Sequence, residues 1–160
     1  MSVSRPSRLL LPTLLLLAAC GGGGEQPAPQ GAAPAATGGD LTAFQVEHGI
    51  GPITEPLALP AETDAAMAAA GKAVFETKCS ACHKMGEKYV GPALGDVTTR
   101  RSPAFIMNMI LNPQEMIERH PVTKQLVAEM MSFMPNQGLT QDEARQVLEY
   151  LRTQSKGAAQ

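Results

Sequence analysis

The sequence predicts an all-α domain of three to five helices. Apolar residues recur at helical spacing in two separate stretches, and prolines stand where they would open short helices between them. The alternation of apolar and polar residues that marks a half-buried strand never lasts, and no internal repeat is visible. With 160 residues and a 44% hydrophobic fraction inflated by a leucine-rich start and many alanines, the chain has room for one small core with appendages.

Residues 1–19 place Arg5 and Arg8 ahead of the apolar run Leu9 to Ala19, a signal-peptide pattern too short to span a bilayer. The run ends in Leu17-Ala18-Ala19-Cys20, which resembles a bacterial lipobox, so the expectation is cleavage before Cys20 and lipidation of that cysteine. Removing the leader leaves 11 basic against 15 acidic residues, a net charge of −4, which disfavours nucleic acid as a partner. Export would put the protein in the cell envelope on the periplasmic side, where unoccupied cysteine pairs usually become disulfides.

Residues 20–40 are rich in Gly, Pro and Ala with almost no large apolar side chains, so they read as a flexible tether. Residues 41–61 are broken by Gly49, Gly51, Pro52, Pro56 and Pro60, yet contain Phe44, Val46, Ile50 and Ile53. That is too apolar for a free linker, and an irregular arm packed on the domain is expected. The domain itself spans 62–155, with a short tail over 156–160.

Within the domain, Met67, Ala70, Gly71, Val74, Phe75 and Lys78 share a helical stripe after Asp64. Ser102-Pro103 opens a second helix with Ile106, Met109 and Ile110 on one side, and Asn112-Pro113 with Glu115 a third. Pro121 starts a fourth piece ending near Met131. Thr140 and Glu143 make a capping box ahead of Ala144, Val147, Leu148 and Leu151, which defines the last helix.

The first helix runs into Cys79-Ser80-Ala81-Cys82-His83, which groups two of the three cysteines with one of the three histidines. Tetrahedral zinc would need four ligands, and no second paired motif stands at finger-like spacing. A dithiol redox pair belongs at the start of a helix in a βαβ setting, whereas this pair follows a helix with no strands around it. C-x-x-C-H also lets two thioethers anchor a porphyrin edge while the adjacent imidazole reaches the iron, and this reading alone uses the histidine.

Over roughly Glu62 to Gln154 the chain resembles the monohaem class I cytochromes c. The likeness rests on Gly71-x-x-x-Phe75 before C-S-A-C-H, on Gly91-Pro92-x-Leu94, on Met134-Pro135 and on Leu148-x-Tyr150-Leu151 in the closing helix. It implies a small cytochrome c fold around one covalently bound haem c, held by Cys79 and Cys82 with His83 on the iron. It also implies that Gly71 lets the first and last helices cross closely, that Pro92 offers its carbonyl to the His83 ring, and that Leu94 lines the haem face. The sixth ligand in such proteins is usually a methionine in a loop before the last helix, which matches Met134. Met107, Met109 and Met116 read as core fillers, Met130 and Met131 as competitors at the end of a helix, and His120 as a solvated histidine. Phe75, Tyr89, Pro92, Leu94 and Arg101 complete the expected pocket. Many relatives use a tryptophan toward a haem propionate; this chain has none, and Arg100, Arg101 or Tyr89 would take that part.

The implied function is one-electron transfer between a redox-protein donor and acceptor by a membrane-anchored carrier that is not an enzyme. Two other classes remain open: a haem-based ligand-binding, sensing or peroxidase-like module, and a thiol-disulfide oxidoreductase. Residues 47–53 and 90–113 also resemble single-haem cytochromes associated with bacterial nitrous oxide reductases, which would make the acceptor a periplasmic copper reductase.

Overall fold

The computed structural model describes residues 41–155. The leader, Cys20, the tether and the tail lie outside the described residues. Among the described residues seven helices follow one another: α1 (Ala43–His48), α2 (Ala65–Lys78), α3 (Val97–Arg100), α4 (Pro103–Leu111), α5 (Pro113–Arg119), α6 (Pro121–Met130) and α7 (Gln141–Gln154). No strand occurs among the described residues, and no helix there is long and apolar enough to cross a membrane.

The caps explain most helix starts. The Asp64 carboxylate accepts from the N–H groups of Ala66 and Met67, both at 2.9 Å, and Ser102 Oγ accepts from Phe105 N–H at 3.2 Å. Thr140 and Glu143 close both halves of a capping box at α7, a device worth about 0.5–2 kcal/mol at the N-cap alone. Asn112 behaves differently from the sequence expectation. Its side chain caps nothing; its amide donates instead to Ile50 O at 3.2 Å and to Glu115 Oε2 at 2.9 Å.

Helix α2 crosses α7, and the crossing is as close as backbone allows. A Cβ on Gly71 would lie 1.9 Å from the Gln146 carbonyl oxygen, so only glycine fits. Phe75 and Tyr150 fill the crossing one turn along, with ring centroids 5.4 Å apart. Around this contact Phe75, Ile106, Met107, Ile110, Ala144, Val147, Leu148 and Leu151 form the main core. Leu148 is wholly buried, and burial of a side chain of that size stabilises by about 1.5–3 kcal/mol. The Glu149 carboxylate, 1% exposed, pairs with Arg145 and Arg152 and accepts from Asp64 N–H at 2.8 Å. Burial pushes its pKa up, but those hydrogen bonds outweigh burial and hold it below the usual carboxylate range.

Residues 41–61 carry the short helix α1, which departs from an irregular course. Thr42 and Gln45 form its capping box, and six residues are too few for periodicity to reveal it. The segment then runs over α4 and α5. The Asn108 amide donates to His48 O at 3.0 Å and Ile53 O at 2.9 Å, while its Oδ1 accepts from Ile53 N–H at 2.9 Å. Ile50, Phe105 and Met116 make a second small core there, and Ile50 N–H donates to the Met116 sulfur at 3.0 Å.

His120 contradicts its reading as a solvated residue: it is fully buried. Its Nε2 donates to Val46 O at 3.1 Å and its Nδ1 accepts from Val122 N–H at 3.3 Å. The ring packs edge-on against Phe105. Charged sequence neighbours pointed to solvent, but the segment arriving from residue 46 covers the ring.

A candidate haem cleft

The two cysteines sit where α2 ends. Cys79 is the C-cap of α2, and Cys82 N–H and His83 N–H both turn back to Cys79 O, at 3.0 and 2.9 Å. Cys79, Cys82 and His83 are thus spaced i, i+3 and i+4 along a helical turn, which puts the three side chains on one face. Residues 91–95 run beside this turn, held by Gly91 N–H to Cys82 O at 2.8 Å, Leu94 N–H to Lys84 O at 3.0 Å and Gly95 N–H to Met85 O at 2.9 Å.

That alignment brings the Pro92 carbonyl 3.0 Å from His83 Nδ1. A carbonyl only accepts, so Nδ1 carries the proton and the Nε2 lone pair is left for a metal. Gly91 packs flat against the same ring: a Cβ there would stand 2.5 Å from His83 Cε1 and 2.8 Å from Nδ1. Any side chain at 91 would push the imidazole away from its carbonyl.

Phe75, Cys79, Cys82, His83, Pro92, Leu94, Arg101 and Met134 all line one cleft. Including its open mouth and the solvent there, it encloses about 1400 Å³. Its described lining is apolar apart from a few polar groups, and its only charged members are Lys78, Arg100 and Arg101. A flat apolar group with acidic edge substituents fits such walls. Arg100 is tied to Ala93 O at 2.9 Å and Asp96 Oδ1 at 2.8 Å, whereas the Arg101 guanidinium lies 5.1 Å from the Phe105 ring centroid.

Tyr89 does not belong to this cleft. It is 56% exposed, with Lys84 Nζ 5.1 Å above its ring, because the turn that carries it faces outward. Met109 lines the cleft rather than only filling the core, and Met130 lines it beside Met134. Met131 stands 90% exposed at the end of α6. Neither His48 nor His120 is part of the lining; His48 Nδ1 pairs with Ser102 Oγ at 2.8 Å. One wall was missed from sequence: Thr123, Leu126, Val127 and Met130 of α6 repeat at i, i+3, i+4 and i+7, a stripe legible in principle.

The Cys79 thiol is not built for exchange chemistry. Burial, then the neighbouring Cys82, pushes the Cys79 thiol above its ordinary pKa, and the carboxyl end of a helix disfavours a thiolate further. A disulfide oxidoreductase needs the reverse.

A helical domain whose C-x-x-C-H turn and methionine share one apolar cleft is of the c-type haem class. The chain belongs to the cytochrome c family: residues 68–155 match the family model described as cytochrome c. Cytochrome c from Rhodothermus marinus is 46% identical and superposes with a TM-score of 0.66, covering 70% of this chain and 96% of that one. An engineered form of that cytochrome, bound to a carbene intermediate, is likewise 46% identical at a TM-score of 0.64, over 71% of this chain and 97% of its own. A "cytochrome c-553-like" protein of Synechocystis sp. is 28% identical over 87 residues, which cover 51% of this chain and 75% of that one. Family members carry covalently attached haem c and are electron carriers, and so is this chain.

Proposed function

We propose that Cys79 and Cys82 would hold one haem c through thioethers, that His83 and Met134 would ligate its iron, and that the protein is a membrane-anchored one-electron carrier of the periplasmic side. The observation that carries this reading is the convergence of the C-x-x-C-H turn and Met134 on one cleft without an acidic lining residue among those described. When bound, the haem iron supplies a ferric/ferrous couple. Pro92 fixes the His83 tautomer and strengthens its donor nitrogen. A thioether from Met134 favours the reduced iron and raises the potential. Two protein ligands leave no position for a substrate, which supports transfer over catalysis.

Attachment is tested by extraction. Acid-acetone should leave the haem on the denatured protein, which should give a c-type pyridine haemochrome spectrum, and the Cys79→Ser, Cys82→Ser double variant should not. Haem that extracts freely from the unaltered protein would sink the assignment.

The anchor is proposed from Leu17-Ala18-Ala19-Cys20. Lipid on Cys20 would attach the domain to the membrane through residues 21–40, which lie outside the described residues. With the leader exchanged for a soluble secretion signal, the Cys20→Ser variant should move from the membrane to the soluble envelope fraction with an unchanged spectrum. The acceptor proposed is a periplasmic copper reductase of the nitrous oxide type, supported by the likeness of residues 47–53 and 90–113. Reduced protein mixed with that enzyme should be reoxidised faster than with a terminal oxidase; the reverse order would reassign the acceptor.

A further inference from the structure

Residues 129–139 carry Met134, and little holds them. Outside α6 itself, the segment makes one hydrogen bond to another part of the described chain: Lys88 Nζ donates to Glu129 O at 2.9 Å. Gln137 and Gly138 bond only to Pro135 and Asn136 within the segment. Met131 leaves the helix in the left-handed region at φ 52, a costly conformation for a non-glycine residue, and its side chain is 90% exposed. Leu139 packs on the main core only at the far end.

The other end of the Lys88 bond belongs to the opposite rim. Lys88 lies in the turn that closes with Tyr89 N–H to Gly91 O at 3.0 Å, and Gly91 N–H is fixed to Cys82 O at 2.8 Å. Glu129 is the next-to-last residue of α6, so its carbonyl has no partner within the helix. An ammonium there satisfies the carbonyl and meets the negative end of the helix dipole.

We infer that Lys88 is a positioning residue, a latch joining the rim that carries His83 to the rim that carries Met134, and so limiting how often Met134 leaves the iron. The inference rests on Met134 being an axial ligand. With the latch intact, the end of α6 from which residues 131–137 continue is tied to the opposite rim, so the segment swings out from a fixed end and must also break the sulfur bond. Without it, only the sulfur bond remains.

Imidazole binding to the ferric, haem-loaded protein reads this directly, because the added ligand enters only when Met134 is off. Lys88→Met keeps the stem and removes the charge; it should speed imidazole binding about two- to fivefold, the range expected for a cation at a helix carboxyl end. It should also quicken amide exchange over residues 131–137, while Lys88→Arg stays close to the unaltered protein. Raising ionic strength should speed the unaltered protein toward the Lys88→Met rate, because the contact is exposed and screened by salt, and this arm needs no substitution. An unchanged imidazole rate in Lys88→Met overturns the latch, provided that the far-red sulfur-to-iron band is present in the unaltered protein and lost in Met134→Ala. If that band is absent, or survives Met134→Ala, the ligand assignment fails and the latch with it.

Discussion

Gly71 and Gln146 meet with no room for a side chain: a Cβ at 71 would fall 1.9 Å from the Gln146 carbonyl oxygen. The obstacle is backbone, which cannot rotate aside as a flexible side chain would. In Gly71→Ala the helix-propensity gain of about 1 kcal/mol is outweighed by forced separation of α2 and α7, at the upper end of the roughly 1–3 kcal/mol typical of overpacking or beyond it. Urea unfolding should show a net loss of at least about 2 kcal/mol; a variant as stable as the parent would mean that the helices cross elsewhere.

Met134 and Met131 separate the candidate sixth ligands. Met134→Ala should lose the far-red band, lower the potential and admit carbon monoxide to the reduced protein. Met131→Ala, removing a side chain that is 90% exposed, should do none of this. Loss of the band in Met131→Ala alone would move the ligand to that residue.

Asn108 is fully buried and bonds the segment in front of the domain three times. In Asn108→Ala those backbone groups of His48 and Ile53 lose their partners, each at a cost of about 1–3 kcal/mol where water cannot replace it. Water entering as the segment lifts will recover part of that. The expected signature is cleavage of residues 49–62 by a dilute protease at a rate well above the parent's, with the haem spectrum unchanged. Equal cleavage rates would show that the segment is held by its apolar contacts alone.

His120 sets a pH dependence. Burial, the largest influence, lowers its pKa against the opposing help of the Val46 and Gln45 carbonyls, and the Arg101 charge lowers it further. Folding therefore favours the neutral ring, and the unfolded chain binds the extra proton. The contribution is fully present above the unfolded value near 6.5 and is lost as pH falls from there toward the depressed folded value, at up to about 1.4 kcal/mol per pH unit. His120→Gln keeps a donor for Val46 O and removes the titration. Stability measured from pH 7.5 to 5 should fall more steeply in the parent than in the variant; parallel curves would refute the assignment.

The helices that sequence reasoning located are those whose start is written locally. Thr140 with Glu143, Ser102 before Pro103, and Asp64 before an apolar stripe each state a cap within four residues. Helices α1 and α3, of six and four residues, complete too few turns for periodicity to register, and the one local signal, the Thr42–Gln45 capping box that opens α1, has no apolar stripe after it to draw attention. The cleft divides in the same way. Cys79, Cys82 and His83 stand within five positions, so their grouping needs no fold to be seen. The outward turn at Tyr89 and the burial of His120 by a carbonyl 74 positions away depend on packing that no local pattern encodes.

The route of residues 42–53 has a mechanical consequence. They are fastened to Asn108, Met116 and His120, on α4 and around α5, before the chain turns back to α2. A pull on the amino end of the domain therefore loads those fastenings first. The turn bearing Cys79 and His83 begins to feel tension only after they have given way and α2 itself is drawn. The segment thus stands between a load on the amino end and the turn that carries Cys79, Cys82 and His83.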